Sequence, residues 1–363
     1  MPVTSVNNDA TPTPGPSTFL ALPPEIIADI CLACQPPYPI CPAPKESAIV
    51  LGRICRRLRQ VAWSTPALWR ALSIRPRSLQ EDAADASLEQ DVLREFFARS
   101  GSCPLSIKLL VAVGGTTEQN VGFMETILLY SSRWEYLVLG IRVDIDAHDV
   151  LKGPMPLLRG LEVLGWCNQY LEIPRLPAFD QAPALQSLML WDVDIRVPST
   201  VIPWAQLTAL SLAGFQALTC EDVLPQTPNL RFLCLAFDHV GEIPLRWSSP
   251  QEKIHLSVLE TLVLESGSTK PQLSMGVWDL FRVPALRRLQ VDGRFLGEDP
   301  VGLIEAFQRE SGCAITELRV QGGRTFQSPL QVNVKVVKVW MTEKLRVSEW
   351  IEECMPFGLR LGL

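Results

Sequence analysis

Histidine is almost missing from this chain: His148, His239 and His255 are the only three in 363 residues. With so few, no Ser–His–Asp or Cys–His arrangement can be argued. There is also no HExxH, no phosphate-cradling GxxxxGK[ST] loop and no GxGxxG. Scattered carboxylates always allow a pair, so they carry no signal here. The expectation is a non-catalytic protein that uses no cofactor. Long apolar runs are lacking too: none reaches the ~18 residues a membrane span needs. Positive charge is not in surplus, since 33 Lys+Arg against 39 Asp+Glu leave a formal −6. That gives no global reason to bind nucleic acid. The first 18 residues hold four prolines and no Lys or Arg, unlike a secretory signal. The expected setting is cytoplasmic, nuclear or both.

Ten cysteines are spread thinly, mostly inside apolar stretches such as those around Cys55, Cys234 and Cys313. Reduced buried thiols are the expected state in such a setting. Cys31 and Cys34 form a CxxC, with Cys41 and Cys55 further on. Such a pair can open a zinc site, but the matching second CxxC or His pair is missing.

What the chain has in quantity is leucine, 52 residues, and proline, 30. Residues 1–18 are polar and Pro-rich and read as a disordered tail. Residues 19–77 read as a compact helical unit. Pro23 and Pro24 suit a helix start, where a missing N–H costs nothing, and Glu25 complements the helix dipole. The helix continues through Ile26, Ile27, Ile30, Cys31 and Leu32 and is apolar nearly all round, so it needs cover on more than one side. After the Pro-rich connector QPPYPICPAPK, a second helix is predicted from about Glu46 to Trp63. A short third element follows around Leu68, Trp69 and Leu72. Residues 45–77 hold eight Lys/Arg and one acidic residue. Three short helices cannot cover that much apolar surface alone. The unit therefore docks either on another protein or on the rest of its own chain. Residues 78–101 read as a linker helix with Leu88, Val92 and Phe96 on one side, ending at Gly101.

From about 103 to 340 one short pattern, apolar-x-x-apolar-x-apolar, recurs. It appears as WEYLVL (134–139), LRGLEV (158–163), LQSLML (185–190), LTALSL (207–212), LRFLCL (230–235), LETLVL (259–264), LRRLQV (286–291) and ITELRV (315–320). LSIKLL at 105–110 opens the series, and VNVKVVKV at 332–339 is a further possible turn. The fourth position is always leucine: Leu137, Leu161, Leu188, Leu210, Leu233, Leu262, Leu289 and Leu318. The intervals lie between 22 and 29 residues, the period of leucine-rich repeats. Alternate residues of a strand face opposite ways, so Leu188 and Leu190 point inward and Met189 outward. One such unit is unstable alone, whereas a stack shares its core. Two longer stretches, FFARSGSCPLSIKL and FQRESGCAITELRV, both read as helix, Ser-Gly stop and strand.

Outward positions fall into three rows: Ser187, Ala209, Phe232, Thr261, Arg288, Glu317; then Met189, Ser211, Cys234, Val263, Gln290, Arg319; then Trp191, Ala213, Ala236, Glu265, Asp292, Gln321. Function is expected on these outward positions, with Phe232, Met189, Trp191, Arg288 and Arg319 as candidate contacts; the rows are mixed in chemistry and name no ligand. Residues 341–363 read as a C-terminal cap.

LPPEIIADICLAC followed by LGRICRRLRQVAWSTPALWRAL resembles an F-box. The motif match covers about Phe19–Ser73, and phrases such as RSGSCPLS, SSRWEYLVL and GPMPLLRGLEVL extend over most of the chain the similarity to fungal F-box-like proteins with loose leucine-rich repeats. The resemblance implies an α/β fold in which a three-helix F-box module precedes an irregular leucine-rich-repeat solenoid. It further implies a substrate receptor of a Skp–cullin–F-box ubiquitin ligase, with the acidic Skp-type adaptor and an unknown protein substrate as partners. Residues matching the adaptor-contact motif are Leu22, Pro23, Ile26, Ile30, Ile54, Cys55, Leu58, Leu68 and Trp69. The sequence departs from the family in two ways: Leu58 stands where Trp is frequent, and the connector is longer and richer in proline. Two other readings stay open: a ligase-independent scaffold whose helices merely cap the array, and an enzyme using Cys31, Cys34 or a carboxylate pair.

Overall fold

Pro23, extended at ψ 146°, leads into helix α1, Pro24–Ala33, where a proline in the first turn forfeits no hydrogen bond. Ile27 and Cys31, four residues apart, turn inward and are buried. Ile26 and Ile30, also four apart, point away from the core. The single helix expected over 46–63 is instead two, α2 (Ala48–Ile54) and α3 (Arg56–Ser64). Cys55 between them is extended, and its sulfur accepts the Leu58 N–H. The chain thereby turns a corner, and Leu58, Val61 and Ala62 enter the core. Thr65 and Ser64 hydroxyls take up carbonyls of the last turn.

These coordinates form a computed structural model that describes residues 18–74, 83–110, 125–142, 153–166, 181–193, 202–214, 221–237, 253–266, 277–321 and 336–340. The proposed tail before Thr18 and the closing segment 341–363 lie outside the described residues.

After a short 3-10 turn, Pro66–Trp69, the chain does not continue as helix. Leu72, expected in a third helical element, lies in strand β1, Ala71–Ile74. Helix α4, Ala83–Arg99, follows. Among its described side chains Leu93, Phe96 and Phe97 are buried, as is Ser100 just past its end, the i, i+3, i+4, i+7 spacing of one helix face. Val92, expected on the inner side, is exposed, because the stripe is set by the two phenylalanines rather than by the Val92–Phe96 diagonal. Phe96 meets Trp69 edge-on at 5.4 Å, and the Arg99 guanidinium sits over both Trp63 and Trp69. Gly101, at φ +56°, ends α4, a conformation that suits glycine. Helix α5, Pro300–Ser311, repeats the arrangement with Gly312 at φ +69°.

The repeated motifs are strands: β2 (Leu105–Leu110), β3 (Trp134–Arg142), β4 (Gly160–Trp166), β5 (Ser187–Trp191), β6 (Ala209–Ala213) and β7 (Phe232–Phe237). After the two-residue strand β8 (Ile254–His255) comes β9 (Thr261–Ser266), and after β10 (Phe281–Arg282) come β11 (Arg288–Asp292), β12 (Glu317–Gln321) and β13 (Val336–Trp340). Among the described residues, β1-β2-β3-β4-β5-β6-β7-β9-β11-β12-β13 form one open sheet, with β8 and β10 paired separately. Each recorded pair is parallel, and the leucines are in register: Leu161 with Leu188, Leu188 with Leu210, Leu210 with Leu233, Leu233 with Leu262 and Leu289 with Leu318. The protein is thus α/β, with a parallel sheet laid down almost in chain order and few helices.

The leucine that opens each motif lies just before its strand and is buried as fully as those within it: Leu158, Leu185, Leu207, Leu230, Leu259 and Leu286. One continuous hydrophobic core joins these leucines to Ile27, Cys31, Leu58, Leu68 and Trp69 of the N-terminal elements. Among the described residues no helix is long and apolar enough to cross a membrane.

Candidate functional site

Two surfaces need description: the outer side of α1 to α3, and the face of the sheet opposite the main core.

The nine N-terminal residues expected to meet a partner divide by depth. Ile26, Ile30 and Ile54 are 46%, 37% and 64% exposed, and Pro23 is exposed beside them in the chain. Leu22 and Cys55 are half-buried. Leu58, Leu68 and Trp69 are buried in the protein's own core. The Trp69 indole N–H donates to the Ala62 carbonyl at 2.6 Å, tying the 3-10 turn to the end of α3. Arg53, Arg56, Arg57 and Arg59 lie exposed along α2 and α3. Arg57 donates to the Leu22 carbonyl, and Arg59 to that of Gly52. The helix cluster therefore presents isolated apolar side chains among guanidinium groups. Leaving Ile26 and Ile30 partly uncovered, at 46% and 37% exposed, forgoes roughly 0.5–1.5 kcal/mol of burial each.

The cysteines here are thiols in packing positions. Cys31 is buried, and burial with the neighbouring Cys34 pushes its pKa up. The Cys41 thiol donates to the Leu72 carbonyl at 3.4 Å and lies against the Ser106 hydroxyl. Raised thiol pKa values disfavour the thiolate that metals and electrophiles require.

Cys41 belongs to the Pro-rich connector, and that connector lies across the start of the sheet. The Tyr38 hydroxyl donates to Glu135 at 2.8 Å, its ring meets Tyr136 edge-on at 5.8 Å, and the Arg70 guanidinium lies 4.0 Å above it. The Ser106 hydroxyl donates to the Pro39 carbonyl at 2.6 Å. The segment Tyr38–Cys41 thus straps α1 to β2 and β3, an arrangement with no counterpart in the sequence reading.

The register places the outward residues in the three rows expected. Their accessibility differs from expectation. Val138, Leu164, Met189, Ala209, Phe232, Cys234 and Val263 form a second apolar cluster, with Leu110 and Trp191 packed at its margin. Phe232 and Met189 are only 2% and 8% exposed. Arg319 is buried and paired with Glu317 at 3.1 Å. Trp191 and Arg288 remain half-buried. An apolar residue at alternate strand positions on both faces makes a sheet with two dry sides, and the sequence shows this in the Met, Cys, Val and Phe of the outward rows.

Extending the middle row towards the N-terminus brings Lys108, Val138 and Glu162 into line with Met189. Glu162 is 2% exposed, and among the described residues neither carboxyl oxygen has a hydrogen-bond partner. Burial pushes its pKa up to about 8, with the Lys108 charge opposing. At the other end of the face, Gln290 donates to Glu265 and to Gln321, both at 3.2 Å. Burial, reinforced by the nearby Asp292, raises Glu265 to about 7. Asp292 itself is engaged by Arg294. Glu162 was legible in LRGLEV, where an acid occupies the middle outward position, but the rows written from the repeats began one strand later.

No family model matches the chain, and no curated protein matches it.

Proposed function

We propose that the chain is an F-box-type substrate receptor: α1 to α3 dock on the acidic Skp-type adaptor of a cullin ligase, and a leucine-rich-repeat-like array recruits the protein target. The observation that carries the reading is the outer side of α1, where Ile26 and Ile30 stand exposed among the exposed arginines of the following helices. An acidic partner with an apolar groove would cover the isoleucines and answer the charge. The contact set narrows accordingly to Pro23, Ile26, Ile30 and Ile54, with Leu22 and Cys55 at the edge. Leu58, Leu68 and Trp69 serve by holding those helices in place. For the array, the parallel strand order and the leucine register support a repeat architecture. Trp191 and Arg288 are the target-facing candidates that stay accessible. Co-expression with a Skp-type adaptor tests the reading. The wild-type chain should capture it, and Ile26→Asp with Ile30→Asp should abolish capture while leaving the melting temperature within a few degrees. Equal capture by both would refute the interface.

A second reading, a ligase-independent scaffold whose helices cap the array, has its own support. Strand β1 pairs directly with β2, and Trp69 and Phe96 share one core. Limited proteolysis separates the two. A cap is degraded together with the repeats, whereas an independent module is released by cleavage near residues 78–90.

A further inference from the structure

We infer that Glu162 and the two aromatic side chains flanking it form a binding site for the ammonium or guanidinium group of a lysine or arginine side chain on the recruited protein. The inference rests on the reading of the sheet as a protein-recruiting face. It is independent of what α1 binds.

The geometry comes from the register. Tyr136 of β3 pairs with Gly160, and Trp191 of β5 pairs with Leu164. Gly160 and Leu164 stand two residues before and after Glu162, so the two aromatics lie diagonally on either side of it. With strands ~4.8 Å apart and ~3.3 Å per residue, each Cα lies about 8 Å from that of Glu162. A carboxyl with aromatic residues on both diagonals can attract a cation by charge and by ring quadrupole. Both rings are half-buried, so they mark where the face meets solvent. Between them the row holds only the small residues Gly160 and Ser187.

The need for a partner comes from Glu162 itself. Buried polar groups in folded proteins are hydrogen-bonded as a rule, and here both oxygens lack a partner among the described residues. Among the described side chains, other ionisable groups face it from two strands. Lys108 on β2 lies beyond Val138, two strands away, and contributes charge but no hydrogen bond to the carboxyl. Tyr136 on β3 lies on the diagonal. On β5 the facing positions are Ser187, Met189 and Trp191, none of which carries charge. Apolar walls from Val138, Met189 and Leu164 suit the methylene stem of a long basic side chain. A small metal ion would need three or more oxygen or nitrogen ligands. No group of three His, Cys, Asp or Glu is placed to supply them among the described residues.

The site makes binding depend on proton release, because a carboxyl kept neutral by burial must ionise to pair with a cation. The test uses the purified full chain and calorimetric titration of acetyl-Ala-Ala-Lys-Ala-Ala-amide between pH 6 and 9, with the norleucine peptide as control. The lysine peptide should bind with an affinity that rises about tenfold per pH unit up to about pH 8 and then levels. The norleucine peptide should not bind. Glu162→Gln should weaken the lysine peptide at least tenfold and remove the pH dependence. Trp191→Leu should weaken it severalfold and leave the pH dependence intact. Indistinguishable lysine and norleucine peptides, or wild-type behaviour in Glu162→Gln, would overturn the inference. Adaptor capture, measured separately, should be unchanged in Glu162→Gln, so failure here is distinguishable from failure at α1.

Discussion

A carboxyl buried without a partner is a stability cost that depends on pH, and Glu162 lets the size of that cost be worked out. Its pKa moves from the ordinary 4.5 to about 8 in the folded chain. In the unfolded chain the group ionises near 4.5. Between these values the folded state holds a proton that the unfolded state has lost, so rising pH favours unfolding. The contribution is fully present below pH 4.5 and is lost progressively up to about pH 8. The slope is about 1.4 kcal/mol per pH unit, about 5 kcal/mol over the whole window as an order of magnitude. Glu162→Gln keeps the shape and cannot ionise. Urea unfolding followed by tryptophan fluorescence at pH 5, 6.5, 8 and 9 should give near-equal stabilities for the two proteins at pH 5. The variant should lead by about 3–5 kcal/mol at pH 8. Subtracting the two curves cancels the other titrating groups, Glu265 included. Parallel curves across pH 5–9 would mean that Glu162 is hydrated or paired in solution, and the reasoning about the second face would be wrong.

Leu210→Ala removes a fully buried side chain in register with Leu188 and Leu233 and should cost about 2–5 kcal/mol in the same unfolding assay. Ser211→Ala, its neighbour on the opposite face, loses a hydrogen bond to the Cys234 thiol and should cost about 1 kcal/mol; equal effects would void the two-face assignment. Trp69→Ala should cost about 3–5 kcal/mol and unfold α3 together with β1, because its ring packs on Phe96 and its N–H holds Ala62. Independent melting of the two by hydrogen exchange would contradict the shared core. Tyr38→Phe deletes the bond to Glu135 and should lower stability by about 1–2 kcal/mol, with faster amide exchange confined to the connector and the start of β3. A global change in exchange would argue against the strap.

The repeats were readable because parallel strands repeat their chemistry locally. A leucine at the fourth position of the eight central motifs and a Leu or Val at the sixth need only the two-residue alternation of a strand to be placed, and all ten motif segments contain strands at or near their expected positions. The helix stops were readable for a similar reason: Gly101 and Gly312 take up a conformation that few other residues tolerate. The break at Cys55 was not readable, because RICRRLR keeps a helical apolar spacing straight through it. Only the packing of Leu58 and Val61 under α1 selects the corner. Leu72 followed the same logic: ALSI is a strand because β2 offers it a hydrogen-bonding edge, not because of its own four residues.

The candidate site divides in the same way. That Ile26 and Ile30 share one side of α1 follows from spacing; that this side is the uncovered one follows from Ile27 and Cys31 finding the core first. The outward rows were spelled out correctly, yet the middle row, Met189 to Arg319, is buried throughout, since whether a strand's second face is wet depends on what lies over it. Period and composition determined by themselves that this chain builds parallel strands around inward leucines, because that information resides in neighbours two to thirty residues apart. Tertiary structure alone decided that the N-terminal helices merge with the sheet, that a tyrosine strap crosses its first strands, and that Glu162 ends in a dry row without a partner. Depth and pairing are relations between segments far apart in the chain, and no local pattern encodes them.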